Sequence, residues 1–156
     1  AKLSGDEQGV IFVQLCNVLD PGLAVALASV SNELRTATQV PLQELQTGHE
    51  AAAALCHKLG HRNCKALREA KEVDGWDKGL TTDELKLLGT LGSVLPALER
   101  LHLRAPRPGM QQLAAGLGAG ALQAVTVLVI FDTHVRDAGA SALAAALGQG
   151  ALPRLK

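Results

Sequence analysis

A spacing of aliphatic residues that occurs twice and begins a third time leaves this chain few folds to choose from. Leu95, Leu98, Leu101 and Leu103 stand in the pattern L-x-x-L-x-x-L-x-L, and Leu122, Val125, Leu128 and Ile130 repeat it 27 positions later. Leu152 and Leu155 start it again a further 30 positions on. The segments between these starts also match: Gly109, Leu113, Leu117, Gly118, Gly120 and Ala121 return as Gly139, Leu143, Leu147, Gly148, Gly150 and Ala151. Repetition at such a period indicates units that cannot bury both their faces alone, so that neighbours must stack to close a core.

Each unit has a period-2 part and a helical part. In Leu101-His102-Leu103 and Leu128-Val129-Ile130 alternation turns the outer residues of each triplet inward and His102 and Val129 outward. If the triplets are adjacent parallel strands, Leu101 neighbours Leu128, Leu103 neighbours Ile130, and His102 and Val129 lie side by side on the open face. Thr81 and Glu84 have the spacing of a capping box ahead of a helix through Leu85, Leu88 and Leu91. The segment from Asp137 to Leu147 reads as a helix presenting Ala140, Leu143, Ala144 and Leu147 to the core.

The front half reads as helices throughout. Ile11, Leu15, Val18 and Leu19 recur at helical spacing, and Asp20-Pro21 supplies an N-cap and a proline for a second helix. Its stripe is Leu23, Leu27, Val30 and Leu34, ending before Pro41. A third helical stretch runs from Pro41 to Leu59, with Gly48 dividing it and Gly60 stopping it. A short helix over Cys64 to Ala70 leads into the polar turn Asp74 to Gly79. The expected architecture is α/β: an all-helical module over residues 1–79, then a short solenoid of parallel strands and outer helices over 80–156, incomplete at its C-terminal end.

Composition narrows the function. Fifteen basic residues balance fifteen acidic ones, so no global field draws the chain to nucleic acid or an anionic membrane. The apolar run Val125 to Phe131 is too short to cross a bilayer, and no membrane span is expected. Three cysteines, Cys16, Cys56 and Cys64, read as reduced thiols of an intracellular, cytoplasmic protein, with an organelle as the alternative if a targeting segment preceded Ala1.

Cys56, His57, His61 and Cys64 are the one cluster of metal-ligand types, but a single helix would not bring all four together, and they read as structural cysteines beside solvated histidines. No metal or cofactor is expected. Ser31, Ser93 and Ser141 lack a nucleophile-elbow context, and Gly116 to Gly120 lies at a helix end without the lysine of a phosphate loop. Enzymatic activity is therefore not expected. His102, Val129 and Trp76 are the candidate partner-binding residues, the first two on the open strand face and Trp76 as an interface anchor in a polar turn.

The repeats resemble the leucine-rich repeat family, in the longer subtype of the ribonuclease inhibitor, and most specifically in the phrase from Val135 to Leu147. Pro106 and Thr133 stand where that family places an asparagine after the strand. In front, Leu19-Asp20-Pro21 and Val30-Ser31-Asn32-Glu33-Leu34-Arg35 are similar to the F-box, though without its Leu-Pro opening and with Leu34 where a tryptophan is common. The resemblance implies a non-enzymatic protein-protein interaction module. Its alternatives are a substrate receptor docking on a ubiquitin-ligase adaptor through Ile11 to Leu34, and an accessory subunit of a larger assembly.

Overall fold

The computed structural model describes residues 17–30, 32–106, 108–131 and 137–156. Backbone packing divides the chain into two compact units, Ala1–Ala54 and Leu55–Lys156.

In the first unit, α1 (Gly22–Ala28) follows Asp20, whose carboxylate accepts from the Gly22 N–H at 3.4 Å. Small residues form its buried side: Ala24 and Ala28 pack with Leu45, and Val18, Leu27 and Leu42 close around them. The expected stripe is therefore displaced, because Leu23 and Val30 are exposed and α1 stops at Ala28. The next helix, α2 (Asn32–Lys58), is continuous where two stretches were expected. It carries Pro41 in its interior, and Gly48 lies against Val18 rather than at a break. His49 Nδ1 donates to the Val18 carbonyl at 2.6 Å, tying the helix to the turn before α1. Part of the F-box-like stretch, Ile11 to Cys16 and Ser31, lies outside the described residues.

The second unit opens with the last turn of α2 and the short α3 (Cys64–Glu69), where Asn63 caps the Ala66 N–H at 2.8 Å. A three-stranded parallel sheet follows, built of β1 (Glu72–Gly75), β2 (Arg100–Arg104) and β3 (Val127–Phe131) in that order. β1 is a departure from the expected all-helical 1–79. Four residues with one inward-facing aliphatic, Val73, give almost no alternation to read. Helices α4 (Thr82–Leu91), α5 (Gly109–Gly116) and α6 (Asp137–Gly148) alternate with the strands, as parallel pairing requires. The chain is thus α/β in its second unit.

The register is the expected one: Leu101 pairs with Leu128, His102 with Val129 and Leu103 with Ile130. β1 extends the rows, with Asp74 opposite His102 and Gly75 opposite Leu103. Strand starts are joined the same way each time. Glu99 and Arg100 N–H groups donate to the Lys71 carbonyl, Thr126 and Val127 to that of Glu99, and Lys156 to that of Thr126. The turns before the strands also repeat, with Leu122 and Leu152 both at positive φ, 54° and 51°.

Val73, Leu101 and Leu103 are wholly buried, as are Leu85, Leu88, Leu95 and Leu98. α4 begins in the capping box: Thr81 Oγ1 accepts from the Glu84 N–H at 3.2 Å, and Glu84 Oε2 accepts from the Thr81 N–H at 2.7 Å. That carboxylate also takes a hydrogen bond from Lys58 Nζ at 2.6 Å. Burial alone would push the Glu84 carboxyl up, but these bonds outweigh it and hold it below its ordinary value. α4 and α5 meet backbone to backbone at Gly89 and Gly116, where a Cβ on Gly89 would stand 2.5 Å from the Leu113 carbonyl oxygen. In α6 the expected inward face needs correction. Gly139 and Ala146 are buried, Leu143 and Leu147 are half-buried, and Ala140 and Ala144 are exposed. Gly139 lies against Met110 of α5, where only a small residue allows so close an approach, while the leucines keep part of their surface open.

The open face of the sheet as candidate functional site

Strand alternation sorts the eight non-core positions of the sheet by chemistry. β1 contributes Glu72 and Asp74, with Trp76 one step beyond its end; β2 contributes Arg100, His102 and Arg104; β3 contributes Val127, Val129 and Phe131. The register aligns them in rows across the strands: Glu72, Arg100 and Val127, then Asp74, His102 and Val129, then Arg104 and Phe131 with Trp76 alongside. One strand is acidic, the middle one basic and the third apolar.

Contacts on this face are few. Arg100 Nη1 lies 3.4 Å from Glu72 Oε2, an exposed pair that contributes little to stability. Asp74 Oδ1 accepts from the Trp76 N–H at 3.0 Å, turning the chain so that the indole lies over the sheet. The Trp76 and Phe131 rings meet edge to face, with centroids 3.6 Å apart and planes at 84°. They bridge the end of β2. Phe131 nevertheless remains 47% exposed and Val127 40% exposed. His102, Val129 and Trp76 are half-buried.

The three expected partner-binding residues thus share one face, His102 beside Val129 and Trp76 at its rim. Sequence reasoning missed Arg100, Arg104, Val127 and Phe131. The signal was present: a step of two residues from His102 reaches both arginines, and the same step from Val129 reaches Val127 and Phe131.

The cysteine-histidine cluster is differently made. Cys56 and Cys64 are buried with their sulfurs 3.6 Å apart, whereas His57 is exposed. Burial and the neighbouring Cys64 push the Cys56 thiol up to about 12, which disfavours the thiolate that a metal or an electrophile needs. Burial also lowers the His61 pKa. Among the described residues no group of three or more His, Cys, Asp or Glu side chains is placed to hold a metal ion. Cys16 lies outside them. At the opposite end of the strands, Pro96, Gly120, Gln123, Gly150, Pro153 and Arg154 line an open depression of about 440 Å³. Arg154 is its one charged lining residue. Among the described residues no helix is long and apolar enough to cross a membrane.

No family model, curated protein or solved structure matches the chain.

Proposed function

We propose that this chain is a non-enzymatic protein-binding module, a short leucine-rich solenoid that holds a protein partner on the open face of its sheet. The observation that carries this reading is the aromatic pair of half-buried Trp76 and exposed Phe131 on a face also carrying Val127 and Val129. Aromatic side chains anchored at one edge and half open to solvent are what interfaces use as anchors. The repeat reading is supported by the recurrent strand starts at Lys71, Glu99 and Thr126 and by the paired positive-φ leucines. Stacked units of that kind offer a rigid, extended surface.

The test compares partners that co-purify from the native source with the tagged wild type, with Phe131→Asp and with Gln149→Ala, the last being an exposed residue beyond α6. Loss of a specific partner with Phe131→Asp alone is the expected result. An identical set of partners for all three proteins would reject the open face as the binding surface.

A second reading, an accessory subunit of a larger assembly, is favoured by one observation in the first unit. Leu23 and Val25 on α1, Val30 just after it and Val40 on α2 are all exposed. Apolar side chains left bare in that number mark a contact surface. A permanent subunit should aggregate when produced alone and stay soluble when produced with its partner; a monodisperse isolated chain would exclude this reading.

A further inference from the structure

The paired thiols Cys56 and Cys64, the depression beside Arg154, and the row Trp76, Arg104 and Phe131 are the chemically distinctive places of the second unit. The thiols are buried, with Cys56 held protonated, and the depression offers a single cation among glycines, prolines, an alanine and a glutamine. The row carries more.

Resting on the open-face reading above, we infer that the partner presents an acidic, apolar-flanked protein segment, its carboxylate received by Arg104 and its apolar side chains by Val127, Val129 and Phe131. Charges on the face are satisfied unequally. Glu72 is matched by Arg100, and Asp74 is engaged by the Trp76 N–H and lies opposite His102 in the register. Arg104 has no ion pair among the described residues and is exposed. Its row neighbours are Phe131 and, one step past β1, Trp76.

Unpaired among the described residues, Arg104 therefore shares its row with Phe131, whose ring touches that of Trp76. The planar fork of a guanidinium receives both oxygens of a carboxylate, and apolar residues of a docked segment that exclude water beside it strengthen the pairing. The strip next to it on β3 is uncharged, so residues of the partner on either side of that carboxylate must be apolar. A nucleic acid would match the arginines and the aromatic rings, but its phosphates would also face Glu72 and Asp74 on the adjacent strand. A segment with isolated carboxylates between apolar residues avoids that repulsion.

Trp76 is the sole tryptophan, so its fluorescence reports directly on this site. The titration uses the full chain and four probes: extended peptides alternating leucine with glutamate or leucine with lysine, polyglutamate of equal length, and a single-stranded oligonucleotide. The leucine-glutamate peptide should change Trp76 emission and bind roughly tenfold more tightly than the lysine peptide, about what one charge-assisted hydrogen bond supplies. Arg104→Glu, an exposed change whose folding is checked by circular dichroism, should invert that preference.

Equal binding of both peptides, a preference unchanged in Arg104→Glu, or equal binding of polyglutamate or the oligonucleotide would overturn the inference. So would silence of Trp76 with every probe. If the partner is lost with Phe131→Asp while glutamate is not preferred, the partner chemistry fails and the open-face reading stands. If Phe131→Asp leaves the partners unchanged, that reading fails by itself.

Discussion

Glycine and cysteine show how little a residue's identity says until its neighbours are known. Gly89 is inside α4, where alanine would ordinarily be better by about 1 kcal/mol. Here the added methyl would meet the Leu113 carbonyl oxygen and the Gly116 backbone, neither of which can turn aside. Gly89→Ala should therefore lower stability, by about 1 to 3 kcal/mol, as overpacking does. Gly148, the last residue of α6, has open space around its Cβ direction, and Gly148→Ala should be neutral or stabilising by up to about 1 kcal/mol. Chemical denaturation of the two variants checks the pair, and equal effects would mean that the α4–α5 seam has room for a methyl group. Cys56 makes a similar point through pH. Its thiol is held protonated in the folded chain, so the stability this contributes is complete below the ordinary value near 9 and is lost as pH rises from there toward about 12. Thermal melts of the wild type should fall over that range more steeply than melts of Cys56→Ala, and native Cys56 should react slowly with thiol reagents at neutral pH. Parallel alkaline limbs, or fast labelling, would contradict this placement of the thiol.

Elements that announce themselves in the sequence do so through local chemistry, and α4 is the clearest case. Thr81 and Glu84 form the reciprocal cap that their spacing implies, and Lys58 adds a third bond to the same carboxylate. Because Glu84 is held below its ordinary value, its stabilisation is fully present above about pH 4.5 and is lost as pH falls below that. Glu84→Gln should be less stable than the wild type at pH 7, and the gap should narrow on acidification toward roughly pH 3. A gap independent of pH would assign the loss to packing instead of charge. The β2–β3 register was equally open to reading, since paired aliphatics at one fixed offset admit a single alignment. β1 was not, because Val73 alone faces the core and Gly75 supplies no side chain there. Pro41 and Gly48 suggested breaks where α2 runs through, because tertiary packing overrode local propensity. Of the candidate site, His102 and Val129 could be placed by alternation. The meeting of Trp76 with Phe131 could not, since it joins strands separated by a whole unit and depends on β1 being a strand.

At the scale of the molecule, the parallel sheet of the second unit is better buried at its middle strand than at β3. Leu101 and Leu103 on β2 are wholly buried and β2 is paired on both sides, whereas Leu128 and Ile130 on β3 are half-buried. The helices repeat the gradient: Leu113 of α5 is buried, and Leu143 at the equivalent place in α6 is half-buried. Leu113→Ala should accordingly cost about 2 to 5 kcal/mol, and Leu143→Ala clearly less, as denaturation midpoints would show. If the second unit is the repeat array proposed above, each element is stabilised chiefly by its nearest neighbours, and opening of this chain should begin on the less buried β3 side. Amide hydrogen exchange should then be slowest in β2 and α4 and faster in β3 and α6, with the order kept when a mild denaturant lowers global stability. Equal protection of β2 and β3 at every denaturant concentration would show instead that the three strands open only together, and the sheet would have to be treated as one cooperative block.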